Sequence, residues 1–130
     1  MIDHLTLLVS TYERSLDFYL SALKPLGYTL VMEVTRETIP DLPFEKLGGL
    51  GAGGKPDLWL RPTDGTIAPT HIAFVANSRD DVDAFFAAAI AAGAQDHGAP
   101  GLRPHYHPNY YAAFVLDPDG YNVEAVCHKA

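Results

Sequence analysis

Cysteine and basic residues are scarce in this sequence. The only cysteine, Cys127, has no partner for an intrachain disulfide and no second thiol for a thiolate metal site or a dithiol redox motif. Nine Lys and Arg stand against 16 Asp and Glu, which gives a formal net charge of −7, and the basic residues form no cluster. Because nucleic acids and anionic membrane surfaces attract basic patches, neither is expected as a partner.

Long apolar runs are also missing. The longest nearly apolar stretch, Ala84–Ala94, is too short to cross a bilayer. The first ten residues include Asp3 and His4, with no basic segment before them and no small-residue cleavage site after them. Together with the single cysteine, these features predict a soluble protein of the reducing cytoplasm.

The 130 residues, 48% of them hydrophobic, are enough for one compact domain. The sequence predicts a strand at Ile2–Val9, whose alternation fixes His4 on one face. A helix is predicted after it and ends near Gly27, because apolar residues recur every three or four positions up to that point. Further strands are predicted at Tyr28–Val34, before the chain is broken by Pro40 and Pro43, and at Asp57–Arg61, after the glycine cluster Gly48–Gly54.

The second half repeats this order at a nearly constant offset. A strand is predicted at Thr70–Ala76 and a helix that ends at Gly93. His4 and His71 lie 71 − 4 = 67 positions apart, and the helix-ending Gly27 and Gly93 lie 93 − 27 = 66 apart. We therefore predict an α+β chain in which one unit of strand, helix and three strands occurs twice. The single domain 1–130 would consist of module 1, at about 1–63, and module 2, at about 68–130.

The last part of the chain predicts a hairpin that carries a glutamate. After the second helix we expect a Pro and Gly loop through Pro108, and then two strands joined by the turn Asp117–Gly120. In the last strand, Tyr121–Cys127, Glu124 faces the side opposite to its apolar neighbours. Enclosing a carboxylate costs on the order of several kcal/mol of solvation unless a cation or strong donors compensate.

The two repeat-related histidines and this glutamate are candidate ligands of one divalent metal ion. Two neutral imidazoles and one carboxylate, with the other coordination positions open, suit divalent Fe, Mn, Zn or Ni. Taken singly, each histidine is better explained as a residue hydrogen-bonded within a sheet. Their matched positions in the repeat favour the metal, and we predict His4, His71 and Glu124 as its ligands.

Several motifs resemble the vicinal oxygen chelate superfamily, which includes glyoxalases, bleomycin resistance proteins and extradiol dioxygenases. They are Asp-His-Leu-Thr around His4, the helix Arg-Ser-Leu-Asp-Phe-Tyr, His71-Ile-Ala-Phe, and Asp-Pro-Asp-Gly-Tyr-Asn-Val-Glu ending at Glu124. The resemblance implies tandem βαβββ modules that form a curved mixed sheet around a cleft. It also implies a metal held by the first and last strands of each module, where His4, His71 and Glu124 fill three of four positions. The fourth position falls on Asp57, Leu58 or Trp59.

The resemblance implies two functions for this chain. The first is a metal-dependent lyase, dioxygenase or transferase acting on a small molecule with adjacent oxygens, whose developing negative charge the metal stabilises. A true glyoxalase I has an acidic fourth ligand, so relatives with three ligands fit this sequence better. The alternative is a metal-free protein that binds or sequesters a drug-like molecule. In either case exposed sheet edges favour a homodimer.

A loop rich in histidine and tyrosine precedes the hairpin. We expect Arg103, His105, His107 and Tyr111 to contact a substrate, together with Trp59 as an apolar surface. We expect His107 and Tyr111, beside Glu124, to act in acid or base catalysis. The alternative is a polar loop held rigid by its prolines.

Overall fold

The computed structural model describes all 130 residues as ten main elements. The first module contains β1 (Leu5–Val9), α1 (Tyr12–Ala22), β2 (Thr29–Thr35), β3 (Lys46–Gly51) and β4 (Leu58–Pro62), with a 3₁₀ turn at Lys24–Leu26. The second contains β5 (His71–Val75), α2 (Arg79–Ala91), β6 (Gln95–Leu102), β7 (Tyr111–Leu116) and β8 (Asn122–Cys127). The predicted α+β fold with two βαβββ modules is confirmed.

The strands form two separate four-stranded sheets with the same connectivity. The first has the order β1-β4-β3-β2 and the second the order β5-β8-β7-β6. In each sheet the first and last strands of the module are parallel, whereas the other neighbours are antiparallel. The strand that carries Glu124, β8, is therefore an inner strand, with β5 on one side and β7 on the other.

One face of each sheet packs against a helix. In β1, Leu7 and Val9 are buried, whereas the residues between and before them are exposed. The apolar stripe of α1 is buried as predicted, and Val82, Phe85 and Ala89 of α2 are fully enclosed. The two helices also contact each other, so that the buried residues of both modules form a single hydrophobic core. Neither helix has the length and apolar character required to span a membrane.

Two strands were not located by the sequence patterns. Residues 48–51 of the glycine cluster belong to β3, and Gly49 leaves room there for the Trp59 ring, which would lie 2.8 Å from a Cβ at this position. The loop expected through Pro108 contains β6, an edge strand with two register shifts and a positive φ of 149° at Gly98. Glycine and irregular pairing hide the alternation from which strands are recognised.

The turn between β7 and β8 joins the two modules. Asp117, at its start, accepts a hydrogen bond from the hydroxyl of Tyr19 on α1. Asp119 accepts hydrogen bonds from the backbone N–H and side chain of Ser10, directly after β1. The Tyr121 hydroxyl donates to the carbonyl of Leu8 at 2.8 Å. These contacts fix the first strand of module 1 relative to the last strand of module 2.

Candidate functional site

The helix-free face of the second sheet carries the candidate site. The register pairs Glu124 with Ala73 on β5 and with Phe114 on β7, so these side chains share one face. Val123 and Ala125 point to the opposite, core face, where they are fully buried. The alternation of β8 therefore directs the Glu124 carboxylate away from the core, although both of its neighbours pack into it.

His71 and Glu124 are in direct contact. The Nε2 atom of His71 lies 2.8 Å from Oε2 of Glu124, and its Nδ1 lies 3.1 Å from the carbonyl oxygen of Asn122. Because a carbonyl oxygen only accepts, Nδ1 carries a hydrogen in that contact. The remaining Nε2 faces a carboxylate, and two facing lone pairs repel. A proton or a cation between these two groups removes the repulsion.

The Tyr110 hydroxyl holds the other carboxylate oxygen. It donates a hydrogen bond to Oε1 of Glu124. Burial, followed by the hydrogen bond to Glu124, raises the pKa of Tyr110 to about 12. The phenol therefore keeps its proton at neutral pH and remains a donor. The side chain of Glu124 is 2% exposed whereas that of His71 is 48% exposed, so the pair opens to solvent through the imidazole.

Aromatic and basic side chains surround this pair. The ring of Phe114 stacks on His71 with centroids 6.1 Å apart, and the Arg103 guanidinium lies 5.4 Å from the centre of the Phe114 ring. On the other side, the ring of His128 meets Tyr110 edge-on at 5.1 Å, and His107 lies 6.0 Å from His128. Of the predicted substrate-binding residues, Arg103 contacts Phe114, the cross-strand neighbour of Glu124, whereas His107 is connected to Glu124 only through His128 and Tyr110.

The remaining predicted residues of the loop are less closely connected to Glu124. His105 is exposed, and its ring contacts Tyr106 at a centroid distance of 4.1 Å. Tyr111 points to the core face of the sheet, where its hydroxyl donates to Asp83 on α2 at 2.7 Å. The predicted contribution of Tyr111 to the site is therefore corrected to Tyr110, the residue before it.

Tyr110 was not predicted as a site residue, but the register of the hairpin would have identified it. Phe114 pairs with Glu124, and side chains alternate along a strand, so Ala112 and Tyr110 continue the same face. Placing the turn at Asp117–Gly120 determines this register. Tyr110 lies just before β7, so extending the alternation by one residue identifies it.

His4 does not meet the other two predicted metal ligands within one chain. Its Nδ1 lies 2.7 Å from Oδ1 of Asp3, whose other oxygen lies 2.7 Å from Nζ of Lys55. The hydrogen bonds from Lys55 and His4 lower the pKa of Asp3 to about 2. No group of three or more His, Cys, Asp or Glu side chains in the chain is arranged to hold a metal ion.

The position in module 1 that corresponds to Glu124 is Trp59. Trp59 pairs with Thr6 across the parallel strands β1 and β4, as Glu124 pairs with Ala73 across β5 and β8. Asp57 and Leu58, the other two residues considered for this position, come two residues and one residue earlier. The indole N–H only donates, so Trp59 supplies no metal ligand.

The donor set at the pair is compatible with a divalent cation. An imidazole nitrogen and a carboxylate oxygen that bind one ion at about 2.1 Å and at right angles lie about 3 Å apart. The observed separation of 2.8 Å between Nε2 and Oε2 is close to this value. The contact of Nδ1 with a backbone carbonyl is the second contact that metal-binding histidines commonly make. Within one chain the pair supplies two donors, one fewer than the three predicted.

Comparison with known proteins identifies the family. The model of the Glyoxalase/Bleomycin resistance protein/Dioxygenase superfamily matches residues 1–125. The chain therefore belongs to this superfamily, as its motifs indicated. A search of curated proteins finds no significant match.

Solved structures show the same fold over nearly the whole chain. A glyoxalase/bleomycin resistance protein from Albidiferax ferrireducens T118 is 26% identical with a TM-score of 0.68, and the alignment covers 96% of each chain. A mutant of glyoxalase I from Zea mays is 27% identical with a TM-score of 0.72, over 96% of this chain and 46% of that one. A family enzyme from Burkholderia phytofirmans PsJN is 21% identical with a TM-score of 0.69, over 98% of both chains, and supports the fold alone.

Proposed function

We propose that this protein is a divalent-metal-dependent enzyme acting on a small molecule with two adjacent oxygens. His71 and Glu124 would hold the ion together with His4 from a second copy of the chain. The contact of an imidazole Nε2 with a carboxylate oxygen at 2.8 Å is the observation that carries the proposal. A cation resolves the repulsion between these two acceptors and compensates the burial of Glu124.

The second copy is proposed because one chain supplies two donors and leaves apolar side chains exposed. Val75, on the site face of the edge strand β5, is 75% exposed. Leu8, on the helix-free face of the edge strand β1, is 38% exposed. Burial of both in a homodimer would be favourable, and it is the step that would bring His4 of one chain toward His71 of another.

The surrounding side chains have separate roles in this proposal. When bound, the ion acts as a Lewis acid that holds two neighbouring oxygens and stabilises negative charge on them. Arg103 would attract an anionic part of the substrate, and Phe114 would contact an apolar part. His107, which is exposed and whose ring lies 6.0 Å from that of His128, would exchange a proton with the substrate. The buried free thiol of Cys127 is compatible with a reducing cytoplasm.

A metal titration tests the proposal. Protein treated with chelator and titrated with Mn(II), Fe(II), Ni(II) or Zn(II) is expected to bind one ion per chain. Glu124→Ala should abolish tight binding, because it removes the anionic ligand. His71→Ala should also weaken binding, because it removes an imidazole ligand. His97→Ala is its matched control, since His97 is an exposed histidine of the edge strand β6. If none of the metals binds, the enzyme proposal is wrong.

The second candidate function is a metal-free protein that binds a small molecule on the same face. Trp59 at the position that corresponds to Glu124 favours it, because this position offers an aromatic surface and no ligand oxygen. Ligand binding that is unchanged by chelation and by Glu124→Ala, and that quenches the fluorescence of Trp59, would support this candidate. A rise in melting temperature on adding metal would favour the enzyme.

A further inference from the structure

The two oxygens of Glu124 have different partners. Oε1 accepts a hydrogen bond from Tyr110, whereas Oε2 faces His71 at 2.8 Å. We propose that Tyr110 is a positioning residue that occupies Oε1, so that Glu124 offers only Oε2 to a metal ion. This inference rests on the metal-dependent function proposed above. It assigns a role to a residue that does not itself bind the ion.

The geometry isolates Oε1 from other donors. Glu124 lies on an inner strand with a side chain that is 2% exposed, so little water reaches the carboxylate. Tyr110 is the only residue that donates a hydrogen bond to Oε1. The phenol is itself supported by edge-on contacts with Tyr106 and His128, each at a centroid distance of 5.1 Å. The hydroxyl is therefore held in one place relative to the carboxylate.

Removal of the hydroxyl would change how the carboxylate binds a cation. A free Oε1 in a nearly dry site lacks a hydrogen-bond donor, which is unfavourable for a charged group. Rotation of the carboxylate would bring both oxygens to the ion, and such bidentate binding takes up one more coordination position. Tyr110 would thus keep a position open for a substrate oxygen.

The test compares Tyr110→Phe with Tyr111→Phe. Both variants remove one phenol hydroxyl from adjacent residues, but the Tyr111 hydroxyl bonds Asp83 on the opposite face of the sheet. We expect Tyr110→Phe to weaken metal affinity by about 10- to 100-fold, because the carboxylate is then no longer held ready in its binding orientation and this loss outweighs the gain of a second bound oxygen. Tyr111→Phe should bind metal as the unmodified protein does. Melting temperatures of the metal-free variants serve as the check on folding.

Coordination is measured with Co(II), whose visible absorption depends on the number of ligands. Tyr110→Phe is expected to alter the Co(II) spectrum, and Tyr111→Phe to leave it unchanged. If Tyr110→Phe has the affinity and spectrum of the unmodified protein, or lower affinity with an unchanged spectrum, the positioning role is wrong although the metal site stands. If the unmodified protein binds no metal, both the positioning role and the proposed function are wrong.

Discussion

The hydroxyl of Tyr19 on α1 donates a hydrogen bond to the carboxylate of Asp117, 98 residues away in the turn between β7 and β8. Tyr19 is fully buried and Asp117 is 5% exposed. The other carboxylate oxygen of Asp117 accepts the backbone N–H groups of Asp119 and Tyr121, each at 2.9 Å. A single carboxylate therefore shapes the turn that precedes the Glu124 strand and attaches it to module 1.

Tyr19→Phe should destabilise the protein by about 1–3 kcal/mol, because it leaves a buried carboxylate oxygen without its donor. Urea unfolding measures the change in the free energy of unfolding. Tyr106→Phe is the control, since Tyr106 is 63% exposed and should change stability little. Equal stability of the two variants would show that the hydrogen bond between Tyr19 and Asp117 contributes nothing to the free energy of unfolding.

Gly49→Ala should destabilise the protein by about 1–3 kcal/mol, because the new Cβ overlaps with a packed ring. This Cβ would lie 2.8 Å from the Trp59 ring and 3.0 Å from the Pro56 side chain. Trp59 is the only tryptophan, so its fluorescence reports the displacement directly. Gly65→Ala is the control, since the nearest atom is the Thr63 hydroxyl at 3.3 Å. An unchanged spectrum and stability for Gly49→Ala would contradict the packing.

Stability should fall steeply above about pH 10, the ordinary pKa of tyrosine. A raised pKa means that the folded state keeps protons that the unfolded state releases. Stability is therefore fully present below pH 10 and is lost as the pH rises toward the raised values. For most of these tyrosines desolvation is the largest cause, whereas for Tyr111 it is the hydrogen bond to Asp83. The pKa is raised at Tyr12, Tyr19, Tyr28, Tyr110, Tyr111 and Tyr121.

Ultraviolet absorption of the phenolate, recorded together with circular dichroism, measures this effect. Ionisation of these six tyrosines should be delayed in the folded protein and should coincide with loss of helix signal. Their reversible ionisation near pH 10 in a fully folded protein would contradict the raised pKa values and the contacts that cause them. A sample unfolded in urea provides the reference curve.

The sequence predicted the fold because apolar periodicity is a local property. Alternation placed Glu124 on the face opposite the core, and the repeat placed His71 on a strand beside it. β3 and β6 were missed because glycine and irregular pairing carry no alternation. Tyr111 was predicted and Tyr110 was not, because the two are adjacent and only the register of the hairpin shows which of them shares the face of Glu124.

The distance between His4 and His71 could not be predicted from the sequence. The strand and face of His4 follow from alternation, but its distance from His71 depends on how two modules, or two chains, pack together. Such packing is determined by long-range contacts, among them the hydrogen bonds of Asp117 and Asp119 with module 1. A pattern within one segment of sequence does not contain this information.

A mixed dimer tests most directly whether two chains share the metal site. His4→Ala and Glu124→Ala chains, each with a different affinity tag, are expressed together, and dimers carrying both tags are isolated. Each variant alone should lose tight metal binding. In the mixed dimer one site lacks both ligands and the other keeps His4, His71 and Glu124, so we predict one tightly bound ion per dimer. A mixed dimer that binds no metal, although the unmodified protein does, would contradict a site shared between chains.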